Sequence, residues 1–183
     1  MKRSFFIAAI AVLSTLASQA QEKFYTKTGK ILFKCTKSPL EKIEATNKSG
    51  TCVLDAKTGN LQFAIMMKGF EFERALMQEH FNENYLESDK FPKSVFIGRI
   101  DDISKVDFDK DAEYAVTVTG QLTIHGVTRT VTAPAILSVK NRVTIANATF
   151  NISLTDYKIS IPSLVKDKIS ETVKISVTLE YES

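Results

Sequence analysis

The stretch "YAVTVTGQLTIHGVTRTVTAP", Tyr114 to Pro134, decides the fold. Before the His-Gly pair, Tyr114, Val116, Val118, Leu122 and Ile124 share one face, with Ala115, Thr117, Thr119, Gln121 and Thr123 on the other. A period of two carried by β-branched residues marks a strand with one buried face. The alternation resumes at Val127, so the chain reverses between two strands. His125-Gly126 is the turn: Gly takes positive φ freely, and His stands where Asn is usual. A general base needs a nucleophile or substrate beside it, and the neighbours here are Thr residues and Arg129. His125 therefore reads as a turn residue.

Working outward, "NLQFAIMMK" puts Leu61, Phe63, Ile65 and Met67 together, and "TVKISVTLEY" does the same for Val173, Ile175, Val177, Leu179 and Tyr181. Further strands read at Lys30–Thr36, Leu40–Thr46, Thr51–Asp55, Lys93–Ile103, Val127–Leu137 and Arg142–Leu154. Turn residues separate them at Asn47–Gly50, Thr58–Asn60, Asp107–Asp111 and Lys140-Asn141. Strands this long exceed the usual five or six residues and suit a closed or strongly curved sheet. The pattern predicts an all-β protein, an antiparallel up-and-down barrel of about eight strands. One helix interrupts it. In "FEFERALMQEHFNENYLESDKFP", Phe72 and Leu76 stand at i, i+4, with Met77, Phe81 and Tyr85 at further i+4 steps, which predicts an amphipathic helix over Phe72–Tyr85.

The N-terminus reads as a secretory leader: Lys2 and Arg3, an apolar run to Leu16, then small residues up to Ala20. Cleavage after Ala20 is expected, leaving 21–183 as one domain in the periplasm or outside the cell. The apolar run is shorter than the ~20 residues a membrane-spanning helix needs, and none longer follows. Loss of Lys2 and Arg3 takes the 24 basic residues to 22 against 21 acidic, so no charge excess points to nucleic acid. Cys35 and Cys52 are compatible with a disulfide in an oxidising compartment and equally with two buried thiols. The oligomeric state is left open, a dimer included.

Motifs for chemistry are sparse. Two His and two Cys, without H-x-x-x-H or C-x-x-C spacing, supply no zinc set. Asp107, Asp109 and Asp111 begin like a calcium loop, but Ala112 and Val118 stand where that loop needs Gly and an acid. His80 lies on or beside the helix's apolar face and is the best candidate for a ligand's polar head, with a half-buried boundary residue as the plainer reading. What remains is a surplus of large apolar side chains directed to one side. Phe63, Ile65, Met67, Phe72, Leu76, Met77, His80, Phe81, Tyr85, Phe96, Leu122, Ile124, Phe150 and Ile152 are the candidate lining of a ligand cavity. A barrel of this size is either filled by side chains or holds one small ligand, and composition does not separate the two.

"QLTIHGVTRTVTAP" resembles the His-Gly hairpin of the YceI-like proteins, and "EHFNENYLESDKFPKSVFIG" resembles their segment running from a His to Phe-Pro and a further Phe. The matching residues are His80, Phe81, Phe91, Pro92, Phe96 and Leu122–Thr128. The resemblance implies an extended, lipocalin-like barrel in the periplasm that binds a polyisoprenoid or related amphiphile without cofactor or metal. It places the helix at the barrel's mouth as a lid. Near ten buried carbons at roughly 0.8 kcal/mol each would contribute on the order of 8 kcal/mol, before ordering costs. The expected function is thus a non-catalytic lipid carrier. The rival is an envelope enzyme acting on a lipid or sugar through His80 and a neighbouring acid, Glu79 or Glu83.

Overall fold

The structure, a computed structural model, describes residues 23–37 and 42–181. The expected leader with its cleavage point, and Leu40 and Glu41 of an expected strand, lie outside the described residues. The elements are β1 (Lys23–Thr36), β2 (Glu44–Asp55), β3 (Asn60–Met66), β4 (Glu71–Phe72), α1 (Ala75–His80), β5 (Lys93–Ile100), β6 (Ala112–Ile124), β7 (Val127–Lys140), β8 (Val143–Ser153) and β9 (Ile169–Tyr181). Ladders run β1-β9-β8-β7-β6-β5-β3-β2, and β2 pairs back onto β1. Eight antiparallel strands therefore close into a barrel, with two-residue β4 added along β2. Closure removes the exposed sheet edges on which other chains could pair.

The β6–β7 hairpin keeps its register from Ile124↔Val127 to Ala112↔Val139 without a bulge. Alternation this long fixes which side chains point inward, because a slip by one residue would turn the whole apolar set outward. The turn forms as the sequence indicates, with His125 at φ 51° and Gly126 at φ 72°. A Cβ on Gly126 would also lie 2.6 Å from the Phe91 ring.

Two expectations change. Leu40–Thr46 and Thr51–Asp55 are not separate strands: β2 runs through Asn47–Gly50, and β1 absorbs the irregularity in register shifts on either side of Gly29. The Asn47 carboxamide explains why no turn forms. Its Oδ1 accepts from the Ser49 amide and hydroxyl, as in a turn, but its Nδ2 donates 2.9 Å to the Met66 carbonyl and ties the fully buried side chain to β3. The predicted helix is also shorter. Phe72 belongs to β4, paired with Ala45, and Arg74 is still extended, so α1 begins only at Ala75. It passes into one π-helical turn, Phe81–Tyr85, closed by the Leu86 amide donating 2.9 Å to the Phe81 carbonyl. The wider turn lets Phe81 and Tyr85 both face the barrel.

The ends of the barrel differ. At one end the 101–111 loop folds over the opening, with Phe108 stacked on Phe24 at 4.9 Å and packed above buried Leu54, Leu61, Ile100, Leu137, Leu179 and Tyr181. The residues leading into β2, the 67–92 insertion carrying α1, the β6–β7 turn and the 154–168 segment gather at the other end. Cys35 lies there, its Sγ 3.0 Å from the Ser170 carbonyl, whereas Cys52 meets the Tyr181 hydroxyl at 3.4 Å. Both are free thiols, so the buried-thiol reading holds.

Candidate functional site: an apolar lumen open at one end

The inward faces of the strands enclose a cavity of about 710 Å³. That falls within the ~300–1,000 Å³ of small-molecule sites, and at roughly 30 Å³ per heavy atom it holds on the order of 24 of them. Inward residues such as Phe63, Phe96, Val118, Ala148, Phe150, Ile175 and Val177 are only partly buried because they face this space. The barrel is hollow.

Two local devices keep it so. Phe96 does not cross the lumen. It lies along the wall over Gly98 and its ladder partner Gly120, where an added Cβ would stand 2.6 and 2.5 Å from the Phe96 Cζ. Glycine at both places is what leaves room for the ring. Next to it around the wall, β7 and β8 present Ala133, Ala135, Ala146 and Ala148, with Ala135 paired to Ala148.

Of the fourteen sequence candidates, Phe63, Ile65, Met67, Phe72, Met77, His80, Phe81, Tyr85, Phe96, Leu122, Ile124, Phe150 and Ile152 all line the cavity. Leu76 does not: it is 61% exposed on the outer side of α1. Its i+4 relation to Phe72 has no meaning once Phe72 precedes the helix. Sequence reasoning missed Phe33, Phe70, the four alanines, Val131, Ile175 and Val177. The alternation of β7 and β9 marked the inward positions, but Ala and Val carry too little bulk to draw attention as site residues.

At the mouth, Phe33, Phe70, Phe72 and Phe81 form an aromatic cluster. Phe81 stacks on Phe33 at 5.4 Å and meets Phe70 and Phe72 at 5.5 and 5.0 Å. α1 covers the opening only in part, since exposed Lys42, Glu73, Arg74, His80 and Lys168 also line the cavity. His80 faces this mouth. Glu79 and Glu83 instead line an outer depression with Lys68, Gln78, Asn82 and Asp89. The rival enzyme's His–Glu pair is therefore not brought together.

The His125 side chain does more than the turn requires. Its Nε2–H donates 2.8 Å to the Glu87 carboxylate, its Nδ1 lies 3.2 Å from the Tyr157 carbonyl oxygen, and its ring meets Phe91 edge-on at 4.6 Å. The hydrogen bond from His125, with Lys90 nearby, holds the Glu87 carboxyl below its ordinary range. The β6–β7 turn thereby pins the exit of the lid segment to the 154–168 segment. The two stretches that resemble the YceI-like proteins meet at this contact.

A closed, hollow antiparallel barrel with an apolar lumen and a partial helical lid defines a class of proteins built to enclose an apolar molecule. Within that class the chain belongs to the YceI-like family, whose domain pattern matches residues 22–181. Similar solved structures include a polyisoprenoid binding domain from Saccharophagus degradans implicated in plant cell wall breakdown, 15% identical over 88% of this chain and 98% of that one, with a TM-score of 0.76. Burkholderia cenocepacia BcnA is 16% identical over 85% of this chain and 96% of its own, with a TM-score of 0.68. A Campylobacter jejuni YCEI protein is 17% identical over 74% and 81%, with a TM-score of 0.57. At these identities the likeness is one of fold. No curated protein sequence matches the chain.

Proposed function

We propose that this protein is a non-catalytic carrier, exported to the periplasm, that holds a polyisoprenoid or similar long amphiphile in its lumen. The observation that carries the reading is the cavity of about 710 Å³, walled by aliphatic and aromatic side chains and open at one end. Family membership and the Saccharophagus neighbour, described as a polyisoprenoid binding domain, support the ligand class. Such a site binds by excluded apolar area and needs no polar motif, which accounts for the few chemical motifs in the sequence. Native mass spectrometry of protein purified gently from its source envelope, with solvent extraction, tests it. A stoichiometric lipid with an isoprenoid mass ladder is expected. Protein that stays empty and also fails to take up added long prenols would refute it. His80→Ala separates carrier from enzyme: a carrier keeps most of its affinity, whereas an enzyme using His80 loses turnover by orders of magnitude.

A further inference from the structure

The large apolar side chains left in water are not spread evenly. Among the described residues, those in the strands are exposed by between 41% (Val143) and 56% (Ile97). Two others stand outside that range, Leu76 at 61% and Leu164 at 93%. Neither belongs to a strand, and both sit at the open end of the barrel. Leu76 points away from the cavity on α1, although Arg74 and Met77 on either side of it line that cavity. Leu164 is the middle residue of a short 3₁₀ turn, Ser163–Val165, and the residue after it, Val165, faces the cavity.

The two leucines are carried by different sides of the opening. The 67–92 insertion joins β3 to β5, and the 154–168 segment joins β8 to β9. In the ladder order these connections leave the ring at opposite points, with four strands between them in either direction. Charge around the same rim is balanced. Lys42 lies 2.6 Å from Glu44 and is also acted on by Glu73, Lys166 lies 3.4 Å from Glu171, and Asp167 stands between Lys166 and Lys168. What the rim offers a partner is therefore apolar, and it is divided between two tips with the lumen opening between them.

We propose that the open end docks on a lipid bilayer, with Leu76 and Leu164 entering its surface, so that the amphiphile passes between bilayer and lumen without crossing water. This rests on the carrier reading above. A tail of about ten carbons that left through water would do so against a roughly millionfold unfavourable partition. A mouth pressed to the bilayer removes that barrier, because apolar surface continues from the leucines through Met77 and Val165 into the lumen. A protein seated on both tips would close the opening, whereas a bilayer covers both and still supplies the ligand. Two leucine side chains bury less than the single myristoyl chain that gives only marginal, reversible attachment. Docking is therefore brief, and it needs neither anionic lipid nor low salt.

The test follows transfer of parinaric acid, a fluorescent fatty acid, from the loaded protein to phosphatidylcholine vesicles carrying a quenching lipid. The rate is expected to rise in proportion to vesicle concentration, at low salt and equally in about 1 M salt, where the screening length is ~3 Å. In Leu76→Gln/Leu164→Gln the slope should fall about tenfold, the value of partly burying two leucines, while the Kd for parinaric acid and the circular dichroism spectrum stay put. The chain has no Trp, so Leu164→Trp supplies a single reporter, whose emission should move to the blue on these vesicles and be quenched by brominated lipid. Val143→Trp, at the far end of the barrel where β7 passes into β8, should show neither effect. A rate independent of vesicle concentration would overturn docking and leave the carrier reading standing. An unchanged slope in the double variant, or a slope that needs anionic lipid and collapses in salt, would overturn the assignment to the leucines. Vesicle-independent transfer by a chain that sediments as a dimer, and as a monomer in the double variant, would assign the leucines to a second copy and overturn the bilayer. Protein that takes up no parinaric acid would overturn the lumen reading, and this inference with it.

Discussion

Placing a phenyl ring on the alanine wall should turn the lumen into a ruler. Ala148 sits midway along β8, pairs with Ala135 on one side and Val177 on the other, and faces the cavity. Ala148→Phe adds a ring in the space a long tail would occupy, excluding roughly six tail carbons, or about 5 kcal/mol at ~0.8 kcal/mol each. That is between three and four powers of ten in Kd for a chain that must pass this level. A chain ending nearer the mouth should lose almost nothing. The ring enters open space instead of a packed core, so the ~1–3 kcal/mol cost of overpacking should be largely absent and stability retained. The assay is probe displacement by a series of prenols of increasing length, alongside urea unfolding of the variant. Affinity rising with length in the parent and levelling off in the variant is the expected result. A uniform loss at every length, with unfolding unchanged, would refute the reasoning by showing that tails do not lie along the barrel axis past Ala148.

Phe81→Ala removes three aromatic contacts at the mouth and should cost about 2–4 kcal/mol in urea unfolding while speeding ligand release. Tyr157→Phe should leave stability unchanged or raise it by up to ~1 kcal/mol, because the buried Tyr157 hydroxyl has no hydrogen-bond partner among the described residues; a marked loss in the same measurement would show a partner for it. Burial pushes the thiols of Cys35 and Cys52 up to about 11 from 9.0. Their folded values exceed their unfolded ones, so this contribution to stability is complete below pH 9.0 and lost as pH rises through about 11. Native protein at pH 8 should therefore react slowly with a thiol reagent, and denatured protein quickly.

The barrel was legible because its strands are long and solvated on one side. Nothing but a buried face explains apolar residues at every second position from Tyr114 to Ile124. The errors fall where a local rule met a tertiary contact. Asn47–Gly50 carries turn residues and even makes the turn's hydrogen bonds, yet the Asn47 carboxamide is also captured by the Met66 carbonyl and the strand continues. Leu76 fits the helical period, but pairing of Phe72 with Ala45 starts the helix too late for that period to apply. His125 was legible as a turn and illegible as a clamp, since Glu87 and Tyr157 are remote in sequence and meet it only after closure. Thirteen residues of the lumen lining could be read from bulk and alternation, whereas the alanines that create the space could not, because their contribution is the volume they leave.

A hollow interior of this size needs a physical reason to persist. Voids made by core truncation cost roughly 24 cal/mol per Å³, which over about 710 Å³ would approach 17 kcal/mol, above the ~5–15 kcal/mol by which domains are stable. The lumen is therefore not a tolerated packing defect, and the wall's construction shows what prevents collapse. Each of the eight barrel strands is hydrogen-bonded on both sides, so drawing the walls together would break ladders instead of relaxing side chains. The close-packed regions lie at the two ends, the Phe108-capped cluster at one and the Phe33–Phe70–Phe72–Phe81 cluster at the other. Between them Phe96 lies flat on two glycines and the adjoining strands β7 and β8 present alanine. The middle of the barrel contributes room, its ends contribute the packing, and an apolar occupant gains more by entering than the protein could gain by closing.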